Sequence, residues 1–150
     1  MLGESGLPRL LLAALGVYGF LVSARATRNI REVGQRAAAG DRAARDHFTQ
    51  TRYARVFGPR NSDLGMLFYG ALHAVALTGL IRRRAVLGAF FLGSCASLAT
   101  SAYLLWALFA RLRVWCPICM RGHAINAAAF VLLLGLWRRP AIVTRRVSDR

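Results

Sequence analysis

Long apolar runs separated by short charged stretches dominate the hydrophobic pattern of this chain. A helix needs about 20 apolar residues to cross the hydrocarbon core of a bilayer. The runs that approach or exceed this length cover residues 7–24, 63–81, 85–110 and 117–137. The second and third runs are separated by residues 82–84, all arginine, which favour a tight turn at a membrane surface. The pattern predicts an all-α integral membrane four-helix bundle that forms a single domain over residues 1–150.

One sizeable polar stretch, residues 25–62, joins the first two runs, and a basic tail, residues 138–150, follows the last. The polar stretch contains good helix formers interrupted by Gly34 and Gly40, so it predicts one or two short helices at the membrane surface. Near its end, Asn61 follows a Gly-Pro turn and suits the cap of the second span. The stretch is either a solvated basic linker or a lid over the bundle.

Composition supports a membrane protein, and the distribution of charge argues against a nucleic-acid-binding protein. Hydrophobic residues make up 56% of the chain and the mean hydropathy is +0.40, which is high for a soluble domain. The net charge of +15 lies between apolar runs and not on one interleaved face, so it argues against nucleic-acid binding. Arginines flank the runs on both sides, so charge bias does not determine the orientation.

The start of the chain also permits a cleaved leader. Residues 24–26 have the small-x-small form of a signal-peptide cleavage site. Against cleavage, the first nine residues carry Glu4 and a single basic residue, Arg9. We therefore expect the first run to remain as a membrane span.

The candidate chemistry is concentrated in Cys116 and Cys119, which are separated by two residues at the start of the last predicted helix. Such a pair can close a small disulfide, and a helix N-terminus favours a thiolate. Pro117 suits the first helical position. Because Cys119 lies one turn deeper, we expect Cys116 to be the more exposed cysteine. A zinc half-site and simple packing remain alternatives, although His123 supplies at most one further ligand and we expect no metal.

Two other residues lie inside predicted spans. The third cysteine, Cys95, lies about 24 Å of helix away from the end of its span that adjoins Cys116. It therefore cannot resolve a disulfide there, and its small neighbours favour a packing role. His73 lies in the middle of the second run, where burial with a hydrogen bond between helices is the expected role.

The residues around the cysteine pair and before the second span resemble those of bacterial vitamin K epoxide reductase homologues. The last two predicted helices carry Ser97, Tyr103, Leu104, Cys116, Ile118, Cys119, His123 and Asn126. The loop end and second span carry Thr51, Tyr53, Phe57, Gly58, Pro59, Asn61, Gly65, Phe68 and Tyr69. Their order and spacing around four predicted helices make the resemblance more specific than any single motif, and it covers residues 45–137.

The resemblance implies an enzyme that oxidises thiols and reduces a lipid quinone, either menaquinone or ubiquinone. Cys119 would face the quinone, and Cys116 would exchange with a thioredoxin-fold disulfide-forming protein or with substrate thiols. Such a protein is multi-pass in the cell membrane, inner or plasma, with its active site on the extracytoplasmic side. The redox reaction would support disulfide-bond formation in partner proteins.

The resemblance also implies a set of pocket residues. Asn61 matches an asparagine that hydrogen-bonds a quinone carbonyl, and His123 falls where the vertebrate enzymes have a pocket tyrosine. Thr51 matches a residue beside the active site, and Tyr53 a pocket aromatic. Each has a simpler alternative: Asn61 as a plain helix cap, His123 as a buried bundle histidine, and Tyr53 as an interfacial aromatic.

The chain departs from this family in its first loop. Family members usually carry two cysteines there that relay electrons to the helix pair, but residues 25–62 contain none, and Arg45 stands where the second would be. Two functional classes follow. Either a partner thiol exchanges directly with Cys116, or the protein is a degenerate binding or assembly subunit without turnover. Retention of Cys116, Cys119 and Asn61 favours the enzyme.

Overall fold

The computed structural model describes residues 6–50 and 59–138, and these residues are predominantly helical. The α-helices are α1 (Gly6–Ala38), α2 (Arg42–Arg45), α3 (Asn61–Thr78), α4 (Arg84–Trp106) and α5 (Pro117–Arg138). Short 3-10 helices lie at Phe48–Gln50 and Leu80–Arg82, and a π-helix at Ala107–Leu112 extends α4. The predicted all-α class is confirmed.

Three helical segments of the described chain are long and apolar enough to cross a membrane: Gly6–Ala38, Arg84–Leu112 and Pro117–Arg138. Helix α3 is not among them, although its 18 residues make it the fourth long helix. Its first turn is polar, with Asn61 and Asp63, and its middle carries His73. Length and composition therefore support a membrane protein, with three segments that meet the length and hydropathy expected of a span.

Helix α1 is longer than the sequence pattern predicted. The expected boundary at residue 24 is not a helix end, because α1 continues without interruption for 33 residues, or about 50 Å. Gly34 does not break it, since one glycine in a helix of good formers costs only about 1 kcal/mol. The chain leaves the helical conformation at Gly40, whose φ of 97° is readily adopted by glycine.

Close backbone contact joins α1 to α3. A Cβ atom at Gly16 would lie 2.9 Å from the backbone nitrogen of His73, and one at Gly19 would lie 2.6 Å from ring atoms of Tyr69. The His73 Nδ1 atom is 2.9 Å from the carbonyl oxygen of Ala13, which confirms the predicted hydrogen bond between helices. Glycines on one face of α1 thus allow the two helices to approach more closely than larger residues would permit.

Helix α4 packs on α5 and is separated from α3 by aromatic rings. The Phe91 ring lies 5.8 Å from that of Phe130 and 5.7 Å from that of Trp137, both on α5. Between α3 and α4, the Phe68 ring lies 5.7 Å from the ring of Phe90. Large side chains therefore hold α3 and α4 apart, although only a short turn connects them.

Packing is tightest at the end of the helices farthest from the cysteine pair. Leu12, Leu72 and Leu133, from α1, α3 and α5, are each 0% exposed and belong to one hydrophobic cluster. Arg9 donates hydrogen bonds of 3.2 Å to the carbonyl oxygens of Ala76 and Leu77, at the end of α3. This half of the molecule is densely packed, and the cysteine pair lies in the other half.

Candidate functional site

The cysteine pair forms a disulfide at the N-terminus of α5, as the sequence predicted. Cys116 immediately precedes the helix, and its carbonyl accepts from the Met120 N–H at 3.0 Å. Its sulfur accepts from the backbone N–H of Cys119 at 3.2 Å, so it occupies the position of a capping side chain. The same N–H and the positive end of the helix would stabilise a Cys116 thiolate after reduction.

The exposure of the two cysteines is the reverse of the sequence-based prediction. Cys116 is buried, with 6% of its surface exposed, whereas Cys119 is partly exposed. The expectation assumed that the residue nearer the helix end faces solvent. Instead, the chain enters α5 after a π-helix and after Arg113, a non-glycine residue in the left-handed conformation (φ 50°), and the entry places the Cys116 side chain inward.

Both cysteines line a cavity of about 870 Å³ in the half of the molecule away from the leucine cluster. Its wall follows one face of α1 from Gly19 to Arg36, a rise of about 25 Å. Residues of α3, α4 and α5 form much of the rest of the wall, and His47 and Thr49 from the segment after α1 also contribute to it. The wall is mostly apolar. A disulfide that opens into a largely apolar cavity can react with a hydrophobic molecule held there.

Asn61 lines this cavity, and it is not the cap of α3 that the sequence also allowed. It is the first residue of the helix, and the capping position belongs to Arg60, which makes no side-chain capping bond. The neighbouring residues fix the position of this helix end. The Thr27 hydroxyl of α1 donates to Asp63 at 3.1 Å and lies 2.9 Å from the Ser62 hydroxyl. Nothing in the sequence pattern indicated this role for Thr27, which is 5% exposed.

His123 lines the cavity one turn along α5 from Cys119. Its Nε2 atom is buried, and no group in the described residues forms a hydrogen bond with it. A buried ring nitrogen without a partner is costly unless a ligand or water supplies one. The described residues contain no cluster of three potential metal ligands.

The sequence also singled out two further predicted site residues, Thr51 and Tyr53, and a third cysteine, Cys95. Thr51 and Tyr53 lie outside the described residues. Cys95 is a free, partly buried cysteine within α4 and does not line the cavity. That Cys95 cannot resolve the Cys116–Cys119 disulfide stays a prediction.

A hydrogen-bonded network at the inner end of the cavity was not recognised from sequence. The Tyr69 hydroxyl donates to Asn126 Oδ1, and Asn126 Nδ2 donates to the Ser101 hydroxyl oxygen at 2.6 Å. The three residues come from α3, α5 and α4. Tyr69 and Asn126 line the cavity, whereas Ser101 does not. No spacing rule joins residues so far apart in the chain, so only the packed structure reveals the network.

These features define a helical membrane protein with a disulfide exposed to a largely apolar cavity between its helices. The chain belongs to the vitamin K epoxide reductase family, whose sequence pattern it matches over residues 10–134. Members of this family are oxidoreductases. The sequence-based identification of the family is therefore confirmed.

Two curated relatives carry the name vitamin K epoxide reductase complex subunit 1. The protein from Rattus norvegicus is 30% identical over 132 residues, which cover 79% of this chain and 80% of the relative. The protein from Mus musculus is 34% identical over 91 residues, or 61% of this chain and 53% of the relative. No solved structure gives a significant match.

Proposed function

We propose that this protein is a membrane thiol–quinone oxidoreductase that uses the Cys116–Cys119 disulfide as its redox centre. The observation that carries the proposal is the position of this disulfide, which opens into the apolar cavity at a helix N-terminus. Membership of a family of oxidoreductases supports the same reaction class. The two electrons gained from a partner dithiol pass to a lipid quinone, menaquinone or ubiquinone.

In this proposal α3 crosses the bilayer with the other three long helices and completes a four-helix membrane bundle. The polar residues of α3 support this arrangement, because His73 bonds to α1 and Asn61 faces the cavity, so neither needs to meet lipid. The protein is multi-pass in the cell membrane, and the end that carries the cysteine pair lies on the extracytoplasmic side. Disulfide formation requires that oxidising side.

The cavity suits a quinone headgroup. A quinone is a flat apolar ring with two carbonyl acceptors, and the wall is apolar with a few polar groups. The Asn61 amide can donate to one carbonyl, and the buried Nε2 atom of His123 can donate to the other. Thr51 and Tyr53 complete the proposed quinone site on grounds of family resemblance alone.

The reaction balances without any further reductant. A partner thiolate attacks Cys116, forms a mixed disulfide and releases the Cys119 thiolate into the cavity. The second partner thiol then closes the partner's own disulfide and leaves Cys116 reduced. The Cys116–Cys119 dithiol gives two electrons and two protons to the quinone, which becomes the hydroquinone, while the protein disulfide forms again.

The donor is a thioredoxin-fold disulfide-forming protein or a substrate protein with free thiols. Direct exchange is needed because residues 25–62 contain no cysteine that could relay electrons. The burial of Cys116 adds a condition, since the partner thiolate can reach its sulfur only if the chain before α5 moves outward. Cys119 is the other possible point of attack, and trapping distinguishes the two.

The test is anaerobic quinone reduction by the purified protein in detergent, with a reduced thioredoxin-fold donor. Wild type is compared with Cys116→Ala and Cys119→Ala, and Cys95→Ala is the matched control because Cys95 is free and outside the cavity. We expect turnover in wild type and in the control, and a loss of at least 100-fold in both other variants. In a separate trapping experiment the donor is supplied as its disulfide, which the free thiolate of a variant can attack. A mixed disulfide formed with Cys119→Ala and not with Cys116→Ala would assign the exchange to Cys116.

Three outcomes contradict parts of the proposal. If either Cys116→Ala or Cys119→Ala retains turnover, the disulfide is not part of the mechanism. Trapping by Cys116→Ala alone would move the point of exchange to Cys119. Quinone binding without turnover by wild type, with several donors, would leave a binding or assembly subunit.

A further inference from the structure

The inner end of the cavity is closed by a wall that joins three helices. Tyr69 of α3 and Asn126 of α5 are hydrogen-bonded across the space, and Ser101 of α4 accepts from the Asn126 amide at 2.6 Å. Each polar atom of the Asn126 side chain therefore has a partner. The amide is held in one orientation and is not free to turn toward a ligand.

Close packing around Tyr69 and Ser101 holds this wall in place. Tyr69 is 4% exposed and Ser101 is 3% exposed. The Tyr69 ring lies against the backbone of α1 at Gly19, where even a methyl group would come within 2.6 Å of it. Its other neighbour is the Phe68 ring, at 5.2 Å in an edge-to-face arrangement. The aromatic ring is thus fixed on its flank by a helix backbone and at its tip by Asn126.

The wall lies at a defined depth below the redox centre. Asn126 is seven residues beyond Cys119 on α5, a rise of about 10 Å along the helix, and His123 lies between them. That interval accommodates one quinone headgroup beside Cys119. A headgroup with an additional fused ring needs more of this length than a single ring does.

We infer that the Tyr69–Asn126–Ser101 network determines how deep the quinone ring sits and which ring size the cavity accepts. This inference rests on the proposed function. Tyr69 and Asn126 limit the depth directly, because they line the cavity. Ser101 lies behind them and acts as a positioning residue, because it fixes the Asn126 amide.

The experiment compares a benzoquinone and a naphthoquinone that carry the same short side chain. For each variant we measure kcat/KM with a fixed reduced dithiol donor, and Kd for the oxidised protein from tryptophan fluorescence quenching. The readout is the ratio of the naphthoquinone value to the benzoquinone value. Wild type is compared with Asn126→Ala, Tyr69→Phe and Ser101→Ala.

Ser94→Ala is the matched control for Ser101→Ala. Ser94 lies on the same helix, is 1% exposed, and donates to the carbonyl of Phe91 in its own helix at 2.7 Å. It does not line the cavity, and the Asn126 amide donates to Ser101 instead. Both substitutions remove one buried hydroxyl from α4, but only Ser101→Ala releases the Asn126 amide.

We expect Asn126→Ala to raise the naphthoquinone-to-benzoquinone ratio at least threefold, because it removes the end of the cavity. Tyr69→Phe and Ser101→Ala should raise it about twofold, mainly through KM, and Ser94→Ala should leave it at the wild-type value. A ratio unchanged in all variants, with both quinones weakened equally, overturns the inference and leaves the network a structural role. Absence of wild-type turnover overturns the proposed function, while the Kd ratio still decides the inference.

Discussion

Substitution of Gly19 by alanine tests the close packing of α1 on α3. The added Cβ would lie 2.6 Å from two ring atoms of Tyr69 and 2.8 Å from a third. Favourable carbon–carbon contacts lie near 3.5–4.0 Å, so the two helices would have to separate by about 1 Å or the ring would have to move. Tyr69 has little freedom to move, since its hydroxyl is bound to Asn126.

Two opposing effects set the magnitude. Alanine in place of glycine inside a helix gains about 1 kcal/mol from helix propensity. Overpacking of a fixed contact costs about 1–3 kcal/mol, and loss of the Tyr69–Asn126 hydrogen bond adds about 0.6–1.7 kcal/mol in a membrane bundle. We therefore expect Gly19→Ala to lower the free energy of unfolding by about 1–3 kcal/mol.

The assay is reversible unfolding in mixed micelles, followed by helical circular dichroism. Gly135→Ala is the control, because Gly135 lies in α5 and a Cβ there would meet no atom within 4 Å. The control should gain up to about 1 kcal/mol from propensity alone. Equal stabilisation of both variants would refute the reasoning, since it would mean that α1 and α3 are not in close contact at Gly19.

The remaining predictions concern three contacts between helices, and the same unfolding assay measures the change in stability for each. Arg9→Met should cost about 1–2 kcal/mol, because it leaves two carbonyls at the end of α3 without their charged donor, and Arg9→Lys should recover only part of this loss. Arg84→Met should lower the free energy of unfolding by less, about 0.5–1 kcal/mol, because the Arg84 guanidinium lies 4.4 Å from the ring centre of Trp137 at an exposed site. A larger loss for Arg84→Met than for Arg9→Met would contradict this prediction. Thr27→Val should cost about 1–2 kcal/mol and raise KM for quinone, because Asp63 loses its donor beside Asn61, whereas Thr27→Ser should behave as wild type.

The parts of the fold that follow from local pattern were predictable. Helix α5 begins at Pro117 and ends at Arg138, close to the predicted 117–137, because a proline at the first turn and a continuous apolar run mark both ends. The disulfide between Cys116 and Cys119 followed from their spacing at that helix start. Both features depend on residues close together in sequence.

The features that depend on contacts between distant segments were not predictable. Hydropathy marks where a helix leaves lipid but not where it ends, so α1 runs beyond residue 24 to Ala38. Whether Cys116 faces inward depends on the π-helix before it, which no composition rule locates. The resemblance included Tyr69 and Asn126, but their hydrogen bond arises only when α3 and α5 pack.

Dense packing in one half of the molecule allows a cavity to persist in the other half. In one half, glycines such as Gly16 bring the α1 and α3 backbones together, and leucines such as Leu72 are fully buried between the helices. Phe68 packs against this core and against the ring of Phe90 between α3 and α4, and it also lines the cavity that occupies the other half. Helices that are rigid and fixed at one end can hold an open space at the other without collapsing into it. The Tyr69–Asn126 hydrogen bond lies between the densely packed half and the cavity. A substitution at Gly19 that displaces the Tyr69 ring should therefore also alter the cavity beside the cysteine pair.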